Sequence, residues 1–259
     1  MQPTPQHRGD PTFLPQLLRT WGVQVQEFPG WRDRGHGDFG RIMGVVCHHT
    51  GGNGTSAEYI ARHPQLGLCA QIHLSRTGVA TIVGAGIAWH AGRGSWPGWP
   101  TDNANAVSIG IEAQSDGTSP WPQAELDAYV RICAAICWYL GLPAERVIGH
   151  KEWAKIQGKW DPGGIDMNQF RQRVAAAIKA GPSGINAPTG ANSKGGTLQF
   201  DQIPTLYGSR VPGSEVKMRP VDALLNADAH AFVARANTEK ILQRLDAIDA
   251  RLAEIEGAK

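Results

Sequence analysis

Arg41-Ile-Met-Gly-Val-Val-Cys47 is a short apolar run rich in β-branched residues, and it leads straight into His48-His49-Thr50. Such a run reads as a buried strand over 41–47. A strand ending in histidine delivers that side chain to one edge of a sheet. Val147-Ile148-Gly149 repeats the pattern and leads into His150, and Ser108–Ala113 (SIGIEA) is a third strand with Glu112 near its end. Two more strands are expected over Ala70–Ser75 and Val79–Val83, joined by a turn at Arg76-Thr77-Gly78. Helical spacing covers Thr12–Gly22, Ser56–His63, Gln123–Leu140 and Asn168–Ala180, with Gly141 placed as a C-cap. Strands interleaved with helices predict an α/β domain, a central mixed sheet flanked by helices, over residues 1–180.

Outside that domain the composition changes. Residues 181–197 (GPSGINAPTGANSKGGT) read as a flexible linker, and 198–220 show no clear period, so 181–220 form a linker or irregular segment. From Val221 to Lys259 the pattern is helical, with Ile241, Leu245, Ile248, Leu252 and Ile255 in alternating steps of four and three. Leu at a and Ile at d, with Arg244 and Arg251 at g and Asp249 and Glu256 at e, predict a parallel coiled coil. That core pairing favours more than two strands, so a homo-oligomer, a tetramer first, is expected. The competing reading is an amphipathic helix folded back on the domain.

A net charge of +2 over 259 residues supplies no broad basic surface, which argues against nucleic-acid binding. No stretch approaches a membrane span, and MQPTPQHRGDPTFLPQLL at the start has no apolar signal core. The expectation is synthesis in a cytoplasm without membrane insertion. Cys47, Cys69, Cys133 and Cys137 fit no zinc-finger spacing and read as buried small hydrophobes.

Metal-dependent hydrolysis needs ligands that are neutral or anionic at working pH, with one position left for water. His48 and His150 at strand ends and Asp161 in Gly158-Lys159-Trp160-Asp161-Pro162-Gly163 supply a His/His/Asp set. The residue types fit zinc without excluding another divalent metal. A strand-end histidine taken alone is more often a hydrogen-bonded structural residue. Glu112 near the end of an apolar strand is an odd place for a carboxylate unless it faces a polar cleft.

Six short segments carry a resemblance: VVCHHT (45–50), TGVATIV (77–83), AWHAG (88–92), NAVSIGIE (105–112), VIGHKEW (147–153) and GKWDPGG (158–164). In this order they resemble the type 2 N-acetylmuramoyl-L-alanine amidases, a family that includes peptidoglycan recognition proteins. The resemblance implies Zn2+ on His48, His150 and Asp161, with His48 rather than His49 as ligand. It implies Glu112 as general base and later acid, and Lys159 as the positive charge facing the oxyanion. Trp89, His90 and Asn105 would then contact the substrate, peptidoglycan. A tyrosine used by another branch of the family is replaced by Ala70. With no secretion signal, the enzyme resembles a phage endolysin held in the host cytoplasm until the membrane is breached. A cytoplasmic anhydro-muropeptide recycling amidase and a non-catalytic recognition module are the alternatives.

Overall fold

The structure, a computed structural model, describes residues 1–185 and two short strands beyond them, Tyr207–Gly208 and Lys217–Met218. Those two strands pair antiparallel, within the stretch where the sequence shows no period. The chain divides into two compact units, Met1–Gly190 and Ala191–Lys259. The heptad pattern over 221–259 lies outside the described residues.

The first unit is built on a six-stranded sheet. Its strands are β1 (Gln24–Glu27), β2 (Gly44–His49), β3 (Ile72–Leu74), β4 (Val79–Ile82), β5 (Ser108–Ala113) and β6 (Val147–Gly149), in the order β1-β4-β3-β5-β2-β6. β3 and β4 form an antiparallel hairpin, and every other neighbouring pair is parallel. The expected mixed sheet is therefore present. β1 (QVQE) is an addition, a mostly exposed polar edge strand whose register with β4 comes from backbone pairing rather than from burial. β2 also starts and ends later than the apolar run suggests, because ladder pairing continues to His49 opposite Ala113.

Side chains alternate across a strand, and here alternation sorts core from site. Val45 and Cys47 of β2, Ile109, Ile111 and Ala113 of β5, and Ile72 and Leu74 of β3 face one large core. That core is closed by α1 (Leu14–Thr20), α3 (Gln123–Leu140) and α5 (Met167–Ile185). Fully burying each of its Leu, Ile or Val side chains contributes about 1.5–3 kcal/mol. α3 has the bounds its helical spacing predicts and ends at Gly141, whose φ of 63° is the left-handed conformation a C-cap requires. α5 is interrupted at Gly181, φ 66° and ψ 179°, where the linker composition begins.

Val46 and Ile148 face the other way, into a second cluster with Ala91, Trp99, Trp153 and Ala154. This face is covered by a Trp/Gly-rich loop over residues 88–105 and by α4 (His150–Trp153). A third cluster, with Ile60, Leu68 and Val83, lies under α2 (Ala57–Ala61), which starts at Ser56 with its hydroxyl accepting from the Tyr59 amide. All four cysteines are free and buried. Among the described residues no helix is long and apolar enough to cross a membrane.

Candidate metal centre and active site

The alternation that sends Cys47 and Ile111 into the large core sends His48 and Glu112 to the opposite face. The parallel register sets those two directly opposite each other. β6 lies on the other side of β2, pairing Cys47 with Gly149, and its next residue is His150. Three adjacent parallel strands therefore deliver three functional side chains to their C-terminal ends. Asp161 arrives from the loop after α4, which is tied back by the Lys151 amide donating to the Asp161 carbonyl at 2.8 Å.

His48 Nδ1, His150 Nδ1 and Asp161 Oδ2 form a nearly equilateral triangle. The ring nitrogens are 3.1 Å apart, and each is 3.0 Å from the carboxylate oxygen. Their surroundings identify what these atoms present to one another. His150 Nε2 lies 2.9 Å from the Ala91 carbonyl, which only accepts, so in the neutral ring Nε2 carries the proton and Nδ1 is bare. His90 Nε2 likewise donates to the Ser108 carbonyl at 3.3 Å. His90 Nδ1 is then an acceptor and takes the proton of His48 Nε2 at 3.1 Å, which leaves His48 Nδ1 bare as well.

Burial, then the neighbouring His150, lowers the pKa of His48 to about 4 against the pull of Asp161, and burial, followed by His48 and His150, holds His90 well below its ordinary value. Three electron-pair donors thus converge on one point, an arrangement that a bound cation would satisfy. Tetrahedral zinc with bonds of about 2.0–2.1 Å would hold its ligand atoms about 3.3 Å apart, close to what the triangle offers. Among the described residues, His48, His150 and Asp161 form the group of His, Cys, Asp or Glu side chains able to hold an ion.

Glu112 stands beside this triangle, its Oε1 4.0 Å from His48 Nδ1 and its side chain only 16% exposed. Burial, followed by repulsion from Asp161, pushes its carboxyl up to about 8, with Lys159 pulling the other way. Its Oε2 is buried without a partner. His73, opposite Glu112 on β3, also has an unpartnered buried Nδ1, while its Nε2 donates to the Thr55 carbonyl at 2.9 Å. Lys159 is exposed, and its charge acts on both Glu112 and His48. Tyr129 on α3 supports the strand ends from the core side, its hydroxyl lying 3.0 Å from the His48 carbonyl and 3.3 Å from that of Ile111.

The residues expected to contact substrate divide. Trp89 stacks one face on His36 with ring centroids 4.7 Å apart and is still 45% exposed, so part of its ring is open to solvent. His90 is only 8% exposed and lies behind His48, against Gly110, where a side chain would collide with its ring. Its position is therefore that of a support for the ligand rather than of a groove wall. Asn105 is also engaged internally, its Oδ1 accepting from the His90 and Ala91 amides at 3.0 and 2.8 Å. Glu152 accepts from the Gly149 amide at 2.8 Å and pairs with Arg171 at 2.8 Å, holding the start of α4 rather than the His150 ring. His49 turns away from the triangle, and its Nδ1 accepts from the Gly163 amide at 2.9 Å.

An α/β domain with histidine and carboxylate donors gathered at parallel strand ends, beside a buried glutamate, is an arrangement that could hold a metal ion for hydrolysis. Residues 38–164, just under half of the chain, match the family described as N-acetylmuramoyl-L-alanine amidase, which identifies that segment as a domain of this family. No curated protein matches the chain. Among solved structures it is similar to the amidase AmiD from E. coli in complex with anhydro-N-acetylmuramic acid-L-Ala-D-γ-Glu-L-Lys. That match has 25% identity and a TM-score of 0.45 over 52% of this chain and 58% of that one. It thus spans less than two thirds of AmiD. The endolysin amidase LysCS from Clostridium intestinale is 16% identical, with a TM-score of 0.45 over 58% of this chain and 95% of that one. AmpDh3 from Pseudomonas aeruginosa is 20% identical, with a TM-score of 0.43 over 51% of this chain and 59% of that one.

Proposed function

We propose that the chain is a zinc-dependent amidase that hydrolyses the bond between the lactyl group of N-acetylmuramic acid and L-alanine in peptidoglycan. The observation that carries this reading is the convergence of three donor atoms, His48 Nδ1, His150 Nδ1 and Asp161 Oδ2, beside a poorly solvated Glu112. Bound there, zinc would lower the pKa of a coordinated water, polarise the scissile carbonyl and oppose the burial shift on Glu112. Glu112 takes the proton from the attacking water and returns it to the leaving alanine nitrogen, since its Oε2 has no competing partner. Lys159 places a fixed positive charge toward the developing oxyanion. His90 holds the His48 ring in the tautomer that leaves Nδ1 free. Trp89 offers the open part of its ring to the substrate.

The biological reading we favour is a phage endolysin, made in the host cytoplasm and acting on the wall after the membrane is breached. It is supported by the linker composition of 181–197 and the heptad residues beyond 221, which suit avid attachment to a polymer. A homo-oligomer formed through that segment, a tetramer first, belongs to the same proposal. An enzyme recycling soluble anhydro-muropeptides has no need of either feature.

The test is release of soluble fragments from purified sacculi, with mass analysis of the products. Free stem peptides beginning with L-alanine, lost on chelation and restored by zinc, are expected. Turnover of soluble anhydro-muropeptides with intact sacculi left untouched would replace the endolysin reading by the recycling one. Zinc and wall binding without any release would replace both by a recognition module.

A further inference from the structure

We propose that His49 and Trp160 form a latch that holds the Asp161 loop in ligating position, making His49 a positioning residue for the metal although its ring lies outside the ligand triangle. The proposal rests on the metal reading above and concerns a side chain that reading does not use. His48 and His49 leave β2 on opposite faces. His48 supplies a ligand atom, and His49 grips the chain on both sides of Asp161. Its Nδ1 accepts the Gly163 amide at 2.9 Å, and its ring meets Trp160 edge-to-face with centroids 4.4 Å apart at 69°. The two ligands are thereby fixed to each other through their immediate neighbours in sequence.

The surroundings are shaped for this grip. Gly117, at φ 76°, closes over the contact from the β5–α3 connection, and a Cβ there would overlap both the His49 ring and the Trp160 ring. A Cβ on Gly163 would overlap Trp160 and the Gly117 carbonyl. The loop has other tethers. Lys151 Nζ donates to the Pro162 and Ile165 carbonyls at 2.9 and 2.7 Å, and Trp121 Nε1 donates to the Gly163 carbonyl at 2.8 Å. Those bonds fasten the loop to α4 and to the start of α3. Among the described residues, His49 is the one that hydrogen-bonds the 160–164 backbone to the strand carrying His48. Trp160 itself is 52% exposed, so its large ring has little hydrophobic reason to be fixed there.

The test measures zinc affinity of the full chain by competition with a chromogenic chelator, and Gly163 amide exchange in the metal-free protein. His49→Phe keeps a ring against Trp160 and removes the acceptor. His49→Asn restores an acceptor at the place of Nδ1. Partners that orient a ligand are worth about 10–100-fold in metal affinity. The Phe variant should lose affinity in that range, and the Asn variant should stay within about threefold of native. Trp160→Ala, at an exposed position, should weaken zinc by a smaller factor. Native affinity in both the Phe and Trp160→Ala variants, or equal losses in Phe and Asn, would overturn the latch. Failure of the native protein to bind zinc would sink the metal reading instead. Gly163 exchange then decides the latch alone: faster exchange in the Phe variant than in native and Asn supports it, and equal rates overturn it.

Discussion

Glu125 sits in the first turn of α3 with no exposed surface, and neither carboxylate oxygen has a partner. Burial raises its pKa from 4.5 to about 7, with Arg76 opposing. Because the folded-state value is the higher one, the native protein binds this proton more tightly than the unfolded chain. Stability therefore falls as pH rises from the unfolded value toward the folded one, then stays low. With those two values the penalty is about 1 kcal/mol at pH 5 and about 3 kcal/mol at pH 8.5. Glu125→Gln keeps the shape and an unpaired amide but removes the titration. The stability difference between variant and native should thus move in the variant's favour by about 2 kcal/mol between those pH values. Urea denaturation of both proteins at each pH measures it, since other titrating groups cancel in the comparison. A difference that does not change with pH would refute the claim that the carboxylate is buried and unpaired.

Three further outcomes concern the site. Glu112→Gln should lower the rate of stem-peptide release by at least about 100-fold with zinc content unchanged, as read by metal analysis beside the sacculus assay. His90→Phe removes the acceptor that sets the His48 tautomer, and zinc affinity measured by chelator competition should fall by about 10–100-fold. Lys159→Met should reduce kcat by about 100-fold with little change in metal affinity, because the role proposed for it is to face charge that develops during the reaction. Equal kcat in that variant would leave Lys159 a solvated surface residue.

The sequence was most legible where burial and pairing coincide. Ser108–Ala113, Val147–Gly149 and Gln123–Leu140 appear with their expected bounds because each is enclosed by the core over its whole length or nearly so. β2 was displaced because hydrophobicity ends at Cys47 while backbone pairing does not. β1 carried only the weak alternation of QVQE and owes its position to β4. At the site, strand-end placement brought His48, His150 and Glu112 together, but it could not say which way a loop histidine faces. His90 lies next to an exposed tryptophan in sequence and next to a metal-ligand candidate in space. The useful signal was Gly110, a small residue in the middle of a strand, which makes room for that ring. The tethers of Asp161 through His49 and Lys151 depend on backbone atoms and leave no pattern in side-chain type.

His48 is separated in sequence from His150 by 102 residues and from Asp161 by 113, yet the three donor atoms meet because β2 lies beside β6 and the Lys151 amide ties the Asp161 loop back. An unfolded chain holds no such set of donors, so ion binding and folding are thermodynamically linked. Metal at about a hundredfold excess over its dissociation constant would add about 2.7 kcal/mol to the native state by mass action. An ion bound there would act as a clasp across the sheet, and metal-starved protein would be more open to proteolysis, through the stability of the whole domain rather than through its chemistry alone.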